Sequence, residues 1–135
     1  MTPTQRTMRE LRQRGLRCAV VERWNAFAQK PGDKGPPGIR MDLFGIVDVL
    51  ALDPERGFIG VQCCSGSSAS HRRKLLEDHA QESYDWLSTP GGCLEIWCWR
   101  QIKLKRGGKV KIWNPRIEVL TLESFHAYDR EEKKI

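Results

Sequence analysis

Two polar residues stand in segments that are otherwise apolar. Asp48 lies in LFGIVDVLAL, residues 43–52, and Gln62 lies in FIGVQCC, residues 58–64. A buried carboxylate or amide costs free energy unless it has a hydrogen-bond partner or binds a cation. Such hard oxygen ligands suit Mg²⁺ or Mn²⁺, so we predict that both residues converge on one divalent cation that assists phosphodiester hydrolysis. The ordinary alternatives are a salt bridge for Asp48 and a hydrogen-bonded core amide for Gln62.

Two further carboxylates are candidate ligands of the same cation. Glu22 lies in RCAVVERW, residues 17–24, which is rich in apolar and β-branched residues and predicts a strand. Asp42 directly precedes the segment that contains Asp48. Glu22 could instead lie at an exposed strand edge, and Asp42 could order its loop by pairing with Arg40. Both alternatives stay open.

Positive charge predicts an anionic partner. The net charge is +6 and the pI is about 9.3, with much of the excess in residues 1–40. A basic surface attracts phosphate backbones because each neutralised phosphate releases a counterion. We therefore expect a nucleic acid, DNA rather than RNA, although charge that serves only solubility is the alternative. The predicted phosphate contacts are Arg6, Arg9, Arg12, Lys30, Lys34, Arg40, Arg72 and Arg73.

Hydrophobic periodicity and turn residues predict the elements that hold these side chains. The order α-β-β-β-α-β-β predicts one α/β domain over residues 1–135, with a mixed β-sheet flanked by helices. The predicted segments are a helix over 3–14 within a basic N-terminal region 1–16, strands over 17–24, 43–52 and 58–64, a basic loop over 28–40, a hairpin turn over 53–57, a helix over 71–88, strands over 93–105 and 109–113, a last strand or short helix over 113–125, and a frayed, charged tail over 126–135.

Composition also bears on the cellular compartment. The chain has five cysteines, an odd number without zinc-site spacing, which we interpret as reduced thiols of a cytoplasmic protein. The N-terminus lacks an apolar signal region, and no run approaches 18 apolar residues, so we expect no membrane association. Trp97 and Trp99 would share one strand face, either in the core or as a surface on which bases stack. The three histidines are interpreted as structural.

The segment GIVDVLALDPERGFIGVQCCSGS resembles the PD-(D/E)XK nuclease superfamily, which includes restriction endonucleases and archaeal Holliday-junction resolvases. In that family an Asp on the second strand precedes (Glu/Gln)-x-Lys on the third strand, and a helix follows. Asp48 matches the Asp, and Gln62-Cys63-Cys64 occupies the second motif. Glu22 matches an acidic residue that resolvase-like members carry before this hairpin. Over residues 17–100 the resemblance implies a restriction-endonuclease-like fold and a metal-dependent endonuclease for structured, including branched, DNA.

One departure from the family pattern bears on catalysis. Cys64 stands where the family has Lys, and a thiol cannot supply a positive charge. Some family members carry this Lys on the following helix, which makes Lys74 the candidate catalytic lysine, with Arg72 and Arg73 beside it. The alternatives are a degenerate nuclease-fold domain that binds nucleic acid or assists assembly without cutting, and a protein-interaction domain of a phage or mobile element. Because resolvase-like proteins are often dimers, a homodimer stays open.

Overall fold

The computed structural model describes residues 1–133 and is built on a five-stranded mixed sheet with helices on both faces. The sheet order is β1-β4-β5-β6-β7, and β2 pairs with β3 in a separate two-stranded ribbon. The predicted α/β class with a mixed, helix-flanked sheet is confirmed. In chain order the elements are α1 (Pro3–Gln13), β1 (Arg17–Val20), β2 (Arg23–Asn25), β3 (Ile39–Met41), β4 (Val49–Asp53), β5 (Gly57–Ser65), α2 (Ala69–Arg73), a π-helical segment (Lys74–Asp78), α3 (Ala80–Ser88), β6 (Gly92–Lys103), β7 (Lys111–Leu120) and α4 (Leu122–Lys133).

The N-terminal helix begins and ends where its capping residues predict. The Thr2 hydroxyl accepts a hydrogen bond from the Gln5 backbone amide, and the Gln5 side chain accepts one from the Thr2 amide. This reciprocal capping satisfies amide groups that have no partner within the helix. Met8 and Leu11 are buried against the sheet. The predicted helix over 3–14 is therefore confirmed, with α1 ending one residue earlier.

The first predicted strand, 17–24, is wrong at its C-terminal end. β1 pairs antiparallel with β4 only as far as Val20, and the chain then enters β2 of the ribbon. The Val21 amide still donates to the Asp48 carbonyl at 2.9 Å. Beyond that point β1 loses its partner, because the chain before Asp48 turns away from the sheet.

The predicted strand over 43–52 is also wrong in its first half. Residues 43–47 form a tight turn in which Phe44 and Gly45 have positive φ angles, 55° and 76°. Ile46 and Val47 are fully buried nevertheless. These two apolar side chains pack in the core from a turn, so the apolar run did not indicate a strand here. Asp48 thus lies directly before β4 and not in the middle of a strand.

The central predictions of the sheet are confirmed. β4 and β5 form an antiparallel hairpin through the turn near 53–57, and β6 lies parallel to β5 after the helical crossover. The crossover helix was predicted over 71–88. It begins earlier, at Ala69, contains the π-helical segment, and is interrupted at His79, whose φ and ψ are −123° and 39°.

The C-terminal third pairs β6 with β7 in a long antiparallel hairpin. Trp97 and Trp99 are buried against α1, so the reading of these residues as a base-stacking surface is wrong. The charged tail is helical up to Lys133, which contradicts the predicted fraying over 126–133, and residues 134–135 lie outside the described range. Among residues 1–133, every helix is too short or too polar to cross a bilayer.

Candidate metal centre

Three carboxylates meet where the ribbon leaves the main sheet. Glu22 directly precedes β2, Asp42 directly follows β3, and Asp48 directly precedes β4. Each offers one carboxylate oxygen, and these oxygens lie within 4.8 Å of one another. The antiparallel pairing of Arg23 with Met41 at the base of the ribbon brings Glu22 and Asp42 together. Residues far apart in the sequence therefore form one acidic cluster.

Asp48 is held rigidly by the backbone around it. Its amide donates to the Val61 carbonyl at 2.9 Å, and its side-chain Oδ2 accepts from the Cys63 amide, also at 2.9 Å. The residue is only 6% exposed. Burial, followed by the hydrogen bond with Asp42, raises the pKa of Asp48 to about 8. Without a cation, Asp48 therefore retains a proton at neutral pH.

Asp42 is the ionised partner of this carboxyl pair. Burial acts to raise its pKa, but the hydrogen bonds from Asp48 and Lys74 outweigh burial and hold the pKa below its usual value. The Lys74 ammonium forms a salt bridge with Asp42 Oδ2, and the Gln62 amide nitrogen donates to the same oxygen at 3.2 Å. Asp42 is thus the residue through which the cluster, Gln62 and Lys74 are connected.

Gln62 lies beside the cluster, and its hydrogen bonds fix the orientation of its amide group. Its Nε2 donates to the Ile46 carbonyl at 2.9 Å as well as to Asp42, while its Oε1 accepts from Lys74 Nζ at 3.2 Å. The amide therefore presents nitrogen, not oxygen, to the carboxylates. In this arrangement Gln62 positions Asp42 and Lys74, which differs from the predicted role of a metal ligand shared with Asp48.

Lys74 brings a positive charge to the face of β5 that carries Gln62. Cys64 lies on the same side of β5 as Gln62, two residues further along, and is buried in the core. Burial and the neighbouring Cys98 raise the pKa of Cys64 to about 12, so it stays a neutral thiol. Lys74, at the first position of the π-helical segment, reaches the site from the helix above. π-helical turns are frequent at functional sites.

His71 is a site residue that sequence reasoning missed. Its Nδ1 lies 3.0 Å from Gln62 Oε1, and since that oxygen can only accept, Nδ1 carries the hydrogen. Burial, followed by the charge of Lys74, lowers the pKa of His71, which favours the neutral ring. The sequence could have indicated this role, because His71 lies three residues before Lys74 and residues so spaced share one face of a helix.

An open groove gives access to the cluster on one side. The groove has a volume of about 340 Å³, and Asp42, Phe44, Lys74 and His79 are among the residues that line it. The side chain of Lys74 is 32% exposed, whereas that of Asp42 is 11% exposed. A solute in the groove therefore meets Lys74 and Asp42, whereas Asp48 and Gln62 are buried.

The predicted phosphate-binding residues differ in how free they are. Arg72 forms salt bridges with Glu118 and Glu131 at 3.0 and 2.6 Å, so its charge already has two partners. Arg73 lies 3.6 Å from Glu77, and Arg6 stacks on Trp113. The others are exposed: Arg9 and Arg12 on α1, Lys30 and Lys34 in the loop, and Arg40 on β3.

No protein-family model, curated protein or solved structure matches this chain. The class that the fold and the site define is an α/β domain with an acidic cluster that could hold a metal ion. All five cysteines lie within the described residues and form no disulfide.

Proposed function

We propose that this chain is a Mg²⁺- or Mn²⁺-dependent endonuclease that hydrolyses phosphodiesters in structured, including branched, DNA. The observation that carries the proposal is the meeting of Glu22, Asp42 and Asp48 within 4.8 Å, with the Lys74 ammonium against one of them. Carboxylates that hold a cation can support metal-assisted hydrolysis of a phosphodiester, and a lysine beside them can offset charge on the phosphate.

The donor set fits a hard divalent cation. All three candidate ligands are carboxylate oxygens, which Mg²⁺ and Mn²⁺ prefer and which zinc-selective sites rarely use alone. The cluster also holds three carboxylates against the one ammonium of Lys74, and their charges add to burial, the largest cause, in raising the pKa of Asp48. A cation would replace the proton of Asp48 and remove the repulsion between the carboxylates.

The order of elements supports a PD-(D/E)XK-type architecture. Three antiparallel strands, β1, β4 and β5, are followed by a helical crossover to the parallel strand β6. Asp48 directly precedes β4 and Gln62 lies within β5, and the antiparallel pairing of these two strands supports the order of the two motifs that the resemblance implies. The lysine on the crossover helix corresponds to the variant in which this charge moves out of the strand.

Each side chain of the site would have a distinct role in hydrolysis. A bound divalent cation would lower the pKa of a water molecule and offset charge on the phosphate. Asp48, fixed by the Cys63 amide, and Asp42 and Glu22 would hold that cation. Lys74 would orient the attacking water or stabilise phosphate charge from the groove, while Gln62 keeps Lys74 in place through its amide oxygen.

A cleavage assay tests the proposal. Purified protein is incubated with branched and linear DNA in the presence of Mn²⁺, beside the variants Asp48→Asn and Glu55→Gln. Glu55 is an exposed acidic residue in the turn at the other end of the β4–β5 hairpin, so it matches the charge change without touching the cluster. We expect cleavage by the wild type and Glu55→Gln only. Equal cleavage by all three proteins, or by none, would count against the proposal.

One observation favours a second candidate, a domain that binds nucleic acid without cutting. The residue in the family lysine position, Cys64, is a buried neutral thiol, and the lysine that replaces it is already paired with Asp42. This candidate predicts DNA binding that falls steeply between about 50 and 200 mM salt, without a metal-dependent product. Lys74→Met is a better test than Cys64→Lys, because Cys64 packs in the core, where an ammonium would destabilise the fold.

A further inference from the structure

Residues 23–41 form a projecting β-hairpin, called the arm below, whose two ends are site carboxylates. Glu22 precedes its first strand, β2, and Asp42 follows its second strand, β3. The sequence predicts only a basic loop over 28–40 here. The structure adds that this loop is the tip of a ribbon that begins and ends at the acidic cluster.

Hydrogen bonds within the arm give it a defined shape. The Gly38 amide donates to the Ala28 carbonyl at 2.7 Å, which links the two sides of the loop beyond the strands. The Phe27 amide donates to Asn25 Oδ1 at 3.1 Å, and the Gln29 side chain donates to two backbone carbonyls across the tip. A segment organised before its partner arrives loses less entropy on binding.

Two aromatic side chains of the arm are left open to solvent. Trp24 is 63% exposed and Phe27 is 96% exposed. The indole of Trp24 lies on the backbone of Gly38 so closely that a Cβ there would be 1.9 Å from the ring. One side of the ring is therefore supported and the other is free. Phe27 gives the fold almost no buried surface, and the packing of Trp24 on Gly38 leaves most of its side chain exposed.

The charge of the arm defines the chemistry of a partner. Arg23, Lys30, Lys34 and Arg40 are exposed, and the only carboxylate within residues 23–41 is Asp33. A partner that offers flat rings together with dense negative charge satisfies both features. Unpaired nucleotides have this chemistry, since bases stack on aromatic side chains while their phosphates pair with cations.

The position of Trp24 relates base stacking to the cleavage site. Trp24 lies directly opposite Arg40 in the ribbon, and Arg40 approaches Glu22 at 3.6 Å. Glu22 and Trp24 are two residues apart, which along an extended strand is roughly 7 Å. This distance is about two nucleotide steps of roughly 3.4 Å each along one strand. A base stacked on Trp24 would belong to a nucleotide within about two steps of the phosphate at the cluster.

We infer that the arm selects DNA with unpaired bases near the scissile phosphodiester, with Trp24 as the stacking platform, Phe27 as a second one and Arg40, opposite Trp24, as a phosphate contact. The inference rests on the proposed function, since it names the substrate class of the same site. Stacking on the arm would select branched or forked DNA without a hydrogen bond to any base edge.

A fluorescence binding assay tests the arm separately from cleavage. A forked DNA duplex carries 2-aminopurine at the first unpaired position, and a fully paired duplex of the same sequence is the reference, both in EDTA so that no strand is cut. The proteins are the wild type, Trp24→Ala, Trp24→Phe and Tyr84→Ala. Tyr84 is a half-exposed aromatic residue on α3 and is the matched control.

We expect Trp24→Ala to weaken binding of the forked DNA by roughly 5- to 100-fold and to abolish the stacking signal of 2-aminopurine. Trp24→Phe should restore much of both, and Tyr84→Ala and the paired duplex should change little. Equal binding and equal fluorescence change for wild type and Trp24→Ala would overturn the inference. A parallel cleavage assay in Mn²⁺ separates the two claims: Trp24-dependent binding without cleavage would overturn the nuclease proposal alone, and cleavage without Trp24 dependence would overturn the inference alone.

Discussion

Glu95 and Asp48 are both buried carboxylates of the same sheet, but their surroundings differ. Glu95, 3% exposed, accepts hydrogen bonds from the Arg56 guanidinium at 2.6 Å and from the Trp97 indole at 2.9 Å. Asp48, 6% exposed, accepts one from a backbone amide and lies next to the carboxylate of Asp42. The fold compensates the charge of Glu95 with two hydrogen-bond donors. The charge of Asp48 has no such compensation and needs a proton or a cation. A buried acid beside other acids is therefore the better candidate for function.

The largest expected difference between these two acids is in catalysis. Asp48→Asn should lower the DNA cleavage rate in Mn²⁺ by more than about 100-fold, because it removes a charged ligand of the cation. Glu95→Gln should leave the rate per folded molecule close to wild type. Single-turnover cleavage of a branched DNA measures both. Similar rate losses in the two variants would show that burial, and not the cluster, controls activity.

Lys74 should have the next largest effect. Lys74→Met removes the ammonium that contacts Asp42 and Gln62, so we expect cleavage to fall by about 10- to 100-fold. Mn²⁺ affinity should be retained or increase, since a positive charge leaves the cluster. The measurement is cleavage at saturating Mn²⁺ together with a Mn²⁺ titration. Loss of cation binding in this variant would mean that Lys74 acts only by maintaining the site's structure.

The polar residues of the site could be predicted from the sequence because they interrupt apolar segments. Asp48 and Gln62 stood out for this reason, and both contact Asp42 in the structure. The β4–β5 hairpin and the helical crossover followed from turn residues and periodicity. The turn over 43–47 could not be predicted in this way, because Ile46 and Val47 are apolar for the sake of the core.

The orientation of side chains was beyond the sequence. The direction of the Gln62 amide depends on the Ile46 carbonyl and on Lys74, which reach it from a turn and a helix. The role of His71 depends on the same amide. The ribbon also could not be foreseen, since its strands have only three residues each and a long Pro- and Gly-rich tip separates them. Short strands carry too little periodicity to detect.

Stability should change in opposite directions when the two acids are neutralised. In EDTA at pH 7, Asp48→Asn should raise the free energy of unfolding by about 1–3 kcal/mol, since the amide still accepts from Cys63 and can donate to Asp42. Glu95→Gln should lower it by about 1–2 kcal/mol by weakening a charged hydrogen bond. Urea unfolding followed by circular dichroism measures both. Destabilisation by Asp48→Asn would mean that its charge is compensated in the fold.

The last expected effect is the pH dependence of stability without a cation. The folded-state pKa of Asp48 is about 8, above its ordinary value of 3.8, so between these pH values the folded chain holds a proton that the unfolded chain has released. This term therefore destabilises the fold progressively as the pH rises from about 4 to 8. Urea unfolding across this range should show a downward trend that Asp48→Asn removes and Glu95→Gln retains. An unchanged trend in Asp48→Asn would assign the titration to another group.

Calorimetric titration of Mn²⁺ into the purified chain tests most directly whether the cluster of Glu22, Asp42 and Asp48 holds a divalent cation. Measurements near pH 7 in two buffers with different ionisation enthalpies also count the protons released, because binding must displace the proton of Asp48. We expect one site per chain with proton release, lost in Asp48→Asn and retained in Glu95→Gln. Absence of binding in the wild type, or equal binding by wild type and Asp48→Asn, would contradict this expectation.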